Sequence, residues 1–119
     1  MKAFEKADSL VLLVYAATKH FPAEERFGLT SQLRRAAMSV ASNIVEGSAR
    51  SSRTEYCRFL EMAHSSAREA EYQISVAKRL GYFYFDKSET GDLMGEMETL
   101  VDEVCRMLSK LHSNLESET

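Results

Sequence analysis

The chain has 119 residues, of which 45% are hydrophobic and 28% charged, and its formal net charge is −3. That length supports one domain with a substantial core and is too short for two, while the acidic balance excludes a globally basic nucleic-acid binder. One proline, five glycines and no tryptophan, in a chain rich in Ala, Leu, Glu, Arg and Met, favour helix over sheet.

The charge is unevenly spread. Residues 1–59 hold nine Lys/Arg against six Asp/Glu, and residues 60–119 hold six against twelve, so a local basic face remains open to the first half. Cys57 and Cys105 stand apart from any CxxC or His/Cys cluster, and they read as free thiols of a reducing cytoplasm rather than as a disulfide. The apolar run from Leu10 to Ala17 is followed by Lys19 and His20. It falls well short of the roughly 20 residues that span a bilayer. The expectation is a cytoplasmic protein with no leader and no membrane partner.

The first helix is expected over residues 3–20. Phe4, Ala7, Val11, Val14 and Thr18 share one face, and Leu10, Leu13 and Ala17 widen it. Phe21-Pro22 ends it, because the residue before a proline avoids helical backbone.

The second helix is expected over residues 30–49, with Thr30 as its N-cap and Leu33, Ala37, Val40 and Ile44 at helical spacing. It also carries polar residues on an ordered face. Ser39, Asn43, Glu46 and Arg50 follow one another at steps of four, three and four, which places them in one row. With Arg35 and Gly47 they read as a structural polar network. Asn43 is expected to tie a neighbouring helix, and Glu46 to pair with Arg50. Such groups fix register or subunit geometry, and small residues such as Ala37 and Ser42 allow close contact. A ligand pocket is the competing reading.

The third helix, residues 52–81, opens on Ser52-Arg53-Thr54-Glu55, a capping box. Its seam runs Tyr56, Phe59, Leu60, Ala63, Ala67, Ala70, Ile74, Ala77 and Leu80, and the alanines allow a neighbouring backbone to come close. Gly81-Tyr82-Phe83-Tyr84-Phe85 alternates like a strand but has no partner strand, so it reads as a packed loop capping one end. The fourth helix is expected over residues 88–115, with Leu93, Met97, Leu100, Val104, Met107 or Leu108, Leu111 and Leu115 as its seam. Gly91 and Gly95 weaken its first turns. Four helices with short connections make a single all-α domain, an antiparallel up-down-up-down four-helix bundle.

Catalytic chemistry finds little to draw on. Glu61-Met62-Ala63-His64 has the i, i+3 spacing of a di-iron ligand pair, yet Ala17 and Ser109 stand three residues before His20 and His112, so no second pair exists. His64 therefore reads as a surface residue beside Glu61 and Arg68. There is no glycine-rich phosphate loop and no nucleophile elbow. No catalytic residue, metal or cofactor is assigned. Arg34, Arg35, Arg50, Arg53 and Arg58 are the candidate nucleic-acid contacts. The competing assignment pairs Arg50 with Glu46 and Arg58 with Glu55 or Glu61, and sends Arg34 or Arg35 across a subunit boundary. The acidic fourth helix, with Glu96, Glu98, Asp102 and Glu103, reads as a solvated face.

The run Phe21-Pro22, Glu25, Phe27 to Ala37, Ser39-Val40, Asn43 to Gly47 and Arg50 resembles the bacterial four-helix bundle family named after proteins encoded in intervening sequences of 23S ribosomal RNA, also called the S23 ribosomal protein family. Tyr56, Arg58-Phe59-Leu60, Ala63, Ser66, Glu69, Glu71 and Arg79 to Tyr82 extend the likeness. Ala41, Ser65 and Ala67 depart from it, at positions where the family favours proline, glycine and leucine; Ala41 implies a straighter second helix. The resemblance implies a ring-like homopentamer, no established enzymatic activity and a suspected connection to RNA. The expected function is thus a non-catalytic, homo-oligomeric binding or scaffold protein whose partners are its own copies and RNA or another protein. An RNA-binding accessory is the first alternative and a metal-dependent enzyme the second.

Overall fold

A computed structural model describes residues 1–84 and 92–117. They form four helices: α1 Lys2–Thr18, α2 Leu29–Ser48, α3 Arg53–Arg79 and α4 Leu93–Ser117, with a 3-10 turn at Ala23–Glu25. Each helix packs on two neighbours, in the order α1, α2, α3, α4 and back to α1. Contacts across the α2–α3 and α3–α4 seams run in opposite directions along the paired helices. Ser39 meets Ser66 while Gly47 meets Phe59, and Glu61 meets His112 while Lys78 meets Glu98. The architecture is the all-α antiparallel four-helix bundle read from the periodicity.

The helix ends follow from local chemistry. α1 stops at Thr18, two residues before its expected end, and Lys19 closes it. The N–H groups of His20 and Phe21 then bond Ala17 and Thr18 carbonyls at 3.1 Å each, a tightened last turn before Pro22. α2 starts one residue before Thr30, the expected cap, and Gly28 takes the N-cap position. The reason is Glu25, whose carboxylate accepts the Leu29 N–H at 3.0 Å and satisfies a donor that the helix leaves open. Thr30 is instead buried inside the first turn.

Ser52 caps α3 as its sequence predicts, its hydroxyl accepting the Glu55 N–H at 3.1 Å. The C-terminal end of α3 is a Schellman arrangement. Tyr82 N–H reaches back to Ala77 O at 3.0 Å and Gly81 N–H to Lys78 O at 3.1 Å. Gly81 takes φ +79°, a value costly for any residue with a Cβ. The expected start of α4 near residue 88 lies outside the described residues; its helical backbone begins at Leu93, where the Asp92 carboxylate accepts the Gly95 N–H at 3.1 Å.

The core draws Leu10 and Val14 from α1, and Leu33, Val40 and Ile44 from α2. Leu60 and Ile74 of α3 join Met97, Val101, Val104 and Leu108 of α4. Each such side chain, fully buried, contributes about 1.5–3 kcal/mol. Ala63, Ala67, Ala70 and Ala77 are all 0% exposed, so the alanine seam of α3 is spent inside one chain. Ala36, Ala37 and Ala41 of α2 are buried likewise. At one end of the rod Phe21 meets Tyr82 and Phe83, with ring centroids 5.5 and 5.4 Å apart. Tyr82 and Phe83 thus pack as foreseen for the loop at residues 81–85, whereas Tyr84 is 93% exposed and Phe85 is outside the described residues.

Candidate interaction surface

The polar row of α2 lies along its seam with α3. Ser39 Oγ and Ser66 Oγ share a hydrogen bond at 2.9 Å, which is the cross-helix link. Asn43 does not reach another helix. Its Nδ2 donates to Ser39 O at 2.9 Å and Ser39 Oγ at 3.0 Å, holding the serine in place for Ser66. Glu46 and Arg50 pair at 2.7 Å, and the Arg50 guanidinium sits 4.8 Å above the Phe59 ring. Gly47 marks a close approach of the two helices, since a Cβ there would lie 2.9 Å from Phe59 Cβ and 3.1 Å from Tyr56 Cδ1. Arg35 is exposed on an open groove shared with Gln32, Ser39, Ser66 and Glu69. Within the chain the row fastens α2 to α3 through Ser39 and Ser66.

The five candidate arginines do not form one patch. Arg34 Nε donates to Thr18 Oγ1 at 2.7 Å, and its guanidinium lies 4.6 Å from the Tyr15 ring. Thr18 in turn donates to Val14 O at 2.7 Å, so Arg34 clamps the end of α1 to α2. Arg34 and Arg35 stand about 22 Å along the axis from Arg50, at 1.5 Å per residue. Arg53 and Arg58 are exposed on the first turns of α3. Among the described residues Arg58 pairs with neither Glu55 nor Glu61, and the Glu61 carboxylate contacts His112 Nε2 at 2.8 Å instead.

That histidine belongs to a constellation missed by the sequence reading. His112 Nδ1 also contacts Glu116 at 3.2 Å, so both ring nitrogens face carboxylates and α3 is tied to α4. Glu61 and His112 are 51 residues apart, and no local pattern joins them. His64 is half-buried on α3 without Glu61, and Arg68 pairs with Glu71 at 3.2 Å. Among the described residues no group of three or more His, Cys, Asp and Glu side chains is placed to hold a metal ion. Cys57 and Cys105 are both free thiols. Burial, helped by Glu71, pushes the Cys105 thiol up to about 11. Gln73 was also missed: it is 6% exposed, donates to Glu69 at 3.2 Å and leaves its Oε1 without a donor among the described residues.

Two further surfaces stand out. Leu12 is 66% exposed, Tyr15 36%, Met38 45% and Val45 53%. Tyr15 faces α2 through Arg34, Leu12 lies one turn before it, and Met38 and Val45 are two turns apart on α2. These apolar side chains form a patch along the α1–α2 flank. On the other side of α1, Lys2 and Lys6 line a groove with Arg106, Met107 and Lys110 of α4. No helix among the described residues is long and apolar enough to cross a membrane.

A crystal structure of a protein of unknown function from the S23 ribosomal protein family of Bacteroides thetaiotaomicron superimposes with a TM-score of 0.79, covering 92% of this chain and 97% of that one at 20% identity. A likeness at that identity speaks to the fold alone. No curated protein matches the sequence. The sequence model for 23S rRNA-intervening sequence proteins matches residues 1–110. Fold and sequence pattern agree, and the chain belongs to the 23S rRNA-intervening sequence protein family.

Proposed function

We propose that this protein is a non-catalytic binding or scaffold bundle that works as an assembly of its own copies, five by the count that its family resemblance implies. The observation that carries the reading is the flank of Leu12, Tyr15, Met38 and Val45. Scattered exposed apolar residues need no explanation, but four on adjoining faces of two helices mark a contact surface. The reading moves the subunit contact away from the alanines of α2, which are filled within the chain. Ser42 remains exposed between Met38 and Val45, and it lets a neighbour come close.

Measuring mass in solution tests this directly. Wild type is expected as an assembly and the Met38→Glu, Val45→Glu double variant as a single chain with unchanged helical content. A wild type that stays monomeric at high concentration would defeat the reading.

A second reading, an RNA-binding accessory, draws on the family's description and on the exposure of Arg53 and Arg58 at one end of the bundle. An assembly would repeat those charges, and each phosphate neutralised adds to affinity and to salt dependence. Retention of RNA that fades with salt and disappears on Arg50→Glu with Arg53→Glu supports it. Equal retention by that variant counts against it.

A further inference from the structure

The α1–α4 groove concentrates positive charge on a chain whose net charge is −3. Lys2 and Lys6 project from α1, and Arg106 and Lys110 from α4. Lys6 is paired with Glu103 at 3.0 Å and Arg106 with Asp102 at 3.0 Å. Lys2 and Lys110 have no carboxylate partner among the described residues. Between these cations the lining is mixed, with Glu103 at one end, Asn114 at the other and an apolar strip of Met107, Leu111 and Ala3 between them. Met107 and Leu111 are half-buried one turn apart on α4, with buried Ala3 behind them. Two adjoining depressions of ≈ 370 Å³ each share Lys2, Met107 and Lys110 and make one continuous trough.

Sequence reading placed Met107 or Leu108 and Leu111 in the bundle seam and the acidic residues up to Glu103 on a solvated face. It missed the trough because Lys2 and Lys6 are about a hundred residues from Lys110 and only the fold brings them together.

We infer that this trough is a docking site for an acidic amphipathic helix of a partner protein, with an aliphatic anchor on Met107 and Leu111 and carboxylates reaching Lys2 and Lys110. Charge complementarity selects the partner. A helix laid between two helices presents apolar residues at steps of three and four, matching the spacing of Met107 and Leu111. The flexible thioether of Met107 adapts to differing anchors. The alternative occupant, a nucleic acid, fits less well. No aromatic side chain lines the trough to stack a base, and a phosphate backbone has no use for an aliphatic floor. The inference does not depend on self-assembly, since the trough lies on the other side of α1 from the Leu12–Val45 flank.

The test titrates full-length protein with a labelled synthetic helical peptide carrying leucines one turn apart flanked by glutamates, read by fluorescence anisotropy. Three comparators accompany it: the same peptide with glutamine for glutamate, a polyglutamate peptide of equal charge, and a single-stranded RNA. Saturable binding is expected for the first peptide alone. It should weaken about tenfold in the Lys2→Glu, Lys110→Glu variant, as two exposed charge contacts turn repulsive. The Met38→Glu, Val45→Glu variant should bind as wild type does, which separates this result from the assembly reading. The inference is overturned if the double lysine variant binds equally, if polyglutamate binds as tightly as the amphipathic peptide, or if only RNA is retained.

Discussion

Tyr82 and Glu25 meet at 2.6 Å and join the two connectors at one end of the bundle. The Tyr82 hydroxyl, then the Leu29 N–H, hold the Glu25 carboxyl below its ordinary value, and the same carboxylate raises Tyr82. The two shifts act at opposite ends of the pH scale. Glu25 contributes fully above the ordinary carboxylate range, and its contribution is lost as pH falls through the lowered value. Tyr82 contributes fully below the ordinary phenol range, and its share is lost as pH rises through the raised value. Tyr82→Phe is therefore expected to move Glu25 titration upward, seen in the side-chain carbon shifts by NMR. An unmoved titration would mean the pair does not form in solution. None of this was legible beforehand. Glu25 carries no signal in sequence that it caps α2, and Tyr82 is 57 residues away. Cys57 and Cys105, by contrast, were readable as free thiols from their isolation alone.

Periodicity made the four helices legible, because burying one stripe demands regular spacing whatever the partner is. Their ends were less so. Ser52 was found because its cap is local, three residues from Glu55. Gly28 was missed because its helix is capped from the preceding turn. The polar row of α2 was visible as a row, but its target was not: Ser66 completes it from another helix. Gly47 belongs to this scale, as a point where α2 and α3 come close. Gly47→Leu should force Phe59 and Tyr56 aside and cost about 2 kcal/mol, read as a lower urea midpoint with an unchanged slope. A midpoint equal to wild type would show that the helices are not this close.

At the scale of the molecule the chain is a rod of 49 × 25 × 21 Å with a Cα radius of gyration of 15.0 Å. A compact domain of this length would have about 13.5 Å. The Met38→Glu, Val45→Glu variant should scatter X-rays as that single rod, whereas wild type should give a larger particle. A wild-type radius equal to that of the variant would remove the case for assembly. What was hardest to read in advance was the surface, since both the apolar flank and the cationic trough combine residues from separate helices. Charge counted along the chain placed the basic character near the α2–α3 turn. Charge counted in space finds it between α1 and α4 as well.

The alternating direction of the four helices bears on that last point. Peptide dipoles sum along each helix to partial charges at its two ends, and neighbours running opposite ways set unlike ends side by side. The scaffold thus nearly cancels its own axial field. Long-range attraction or repulsion felt by an approaching molecule is left to ionised side chains, and exchanging a handful of them would re-aim the protein toward different company without disturbing its interior.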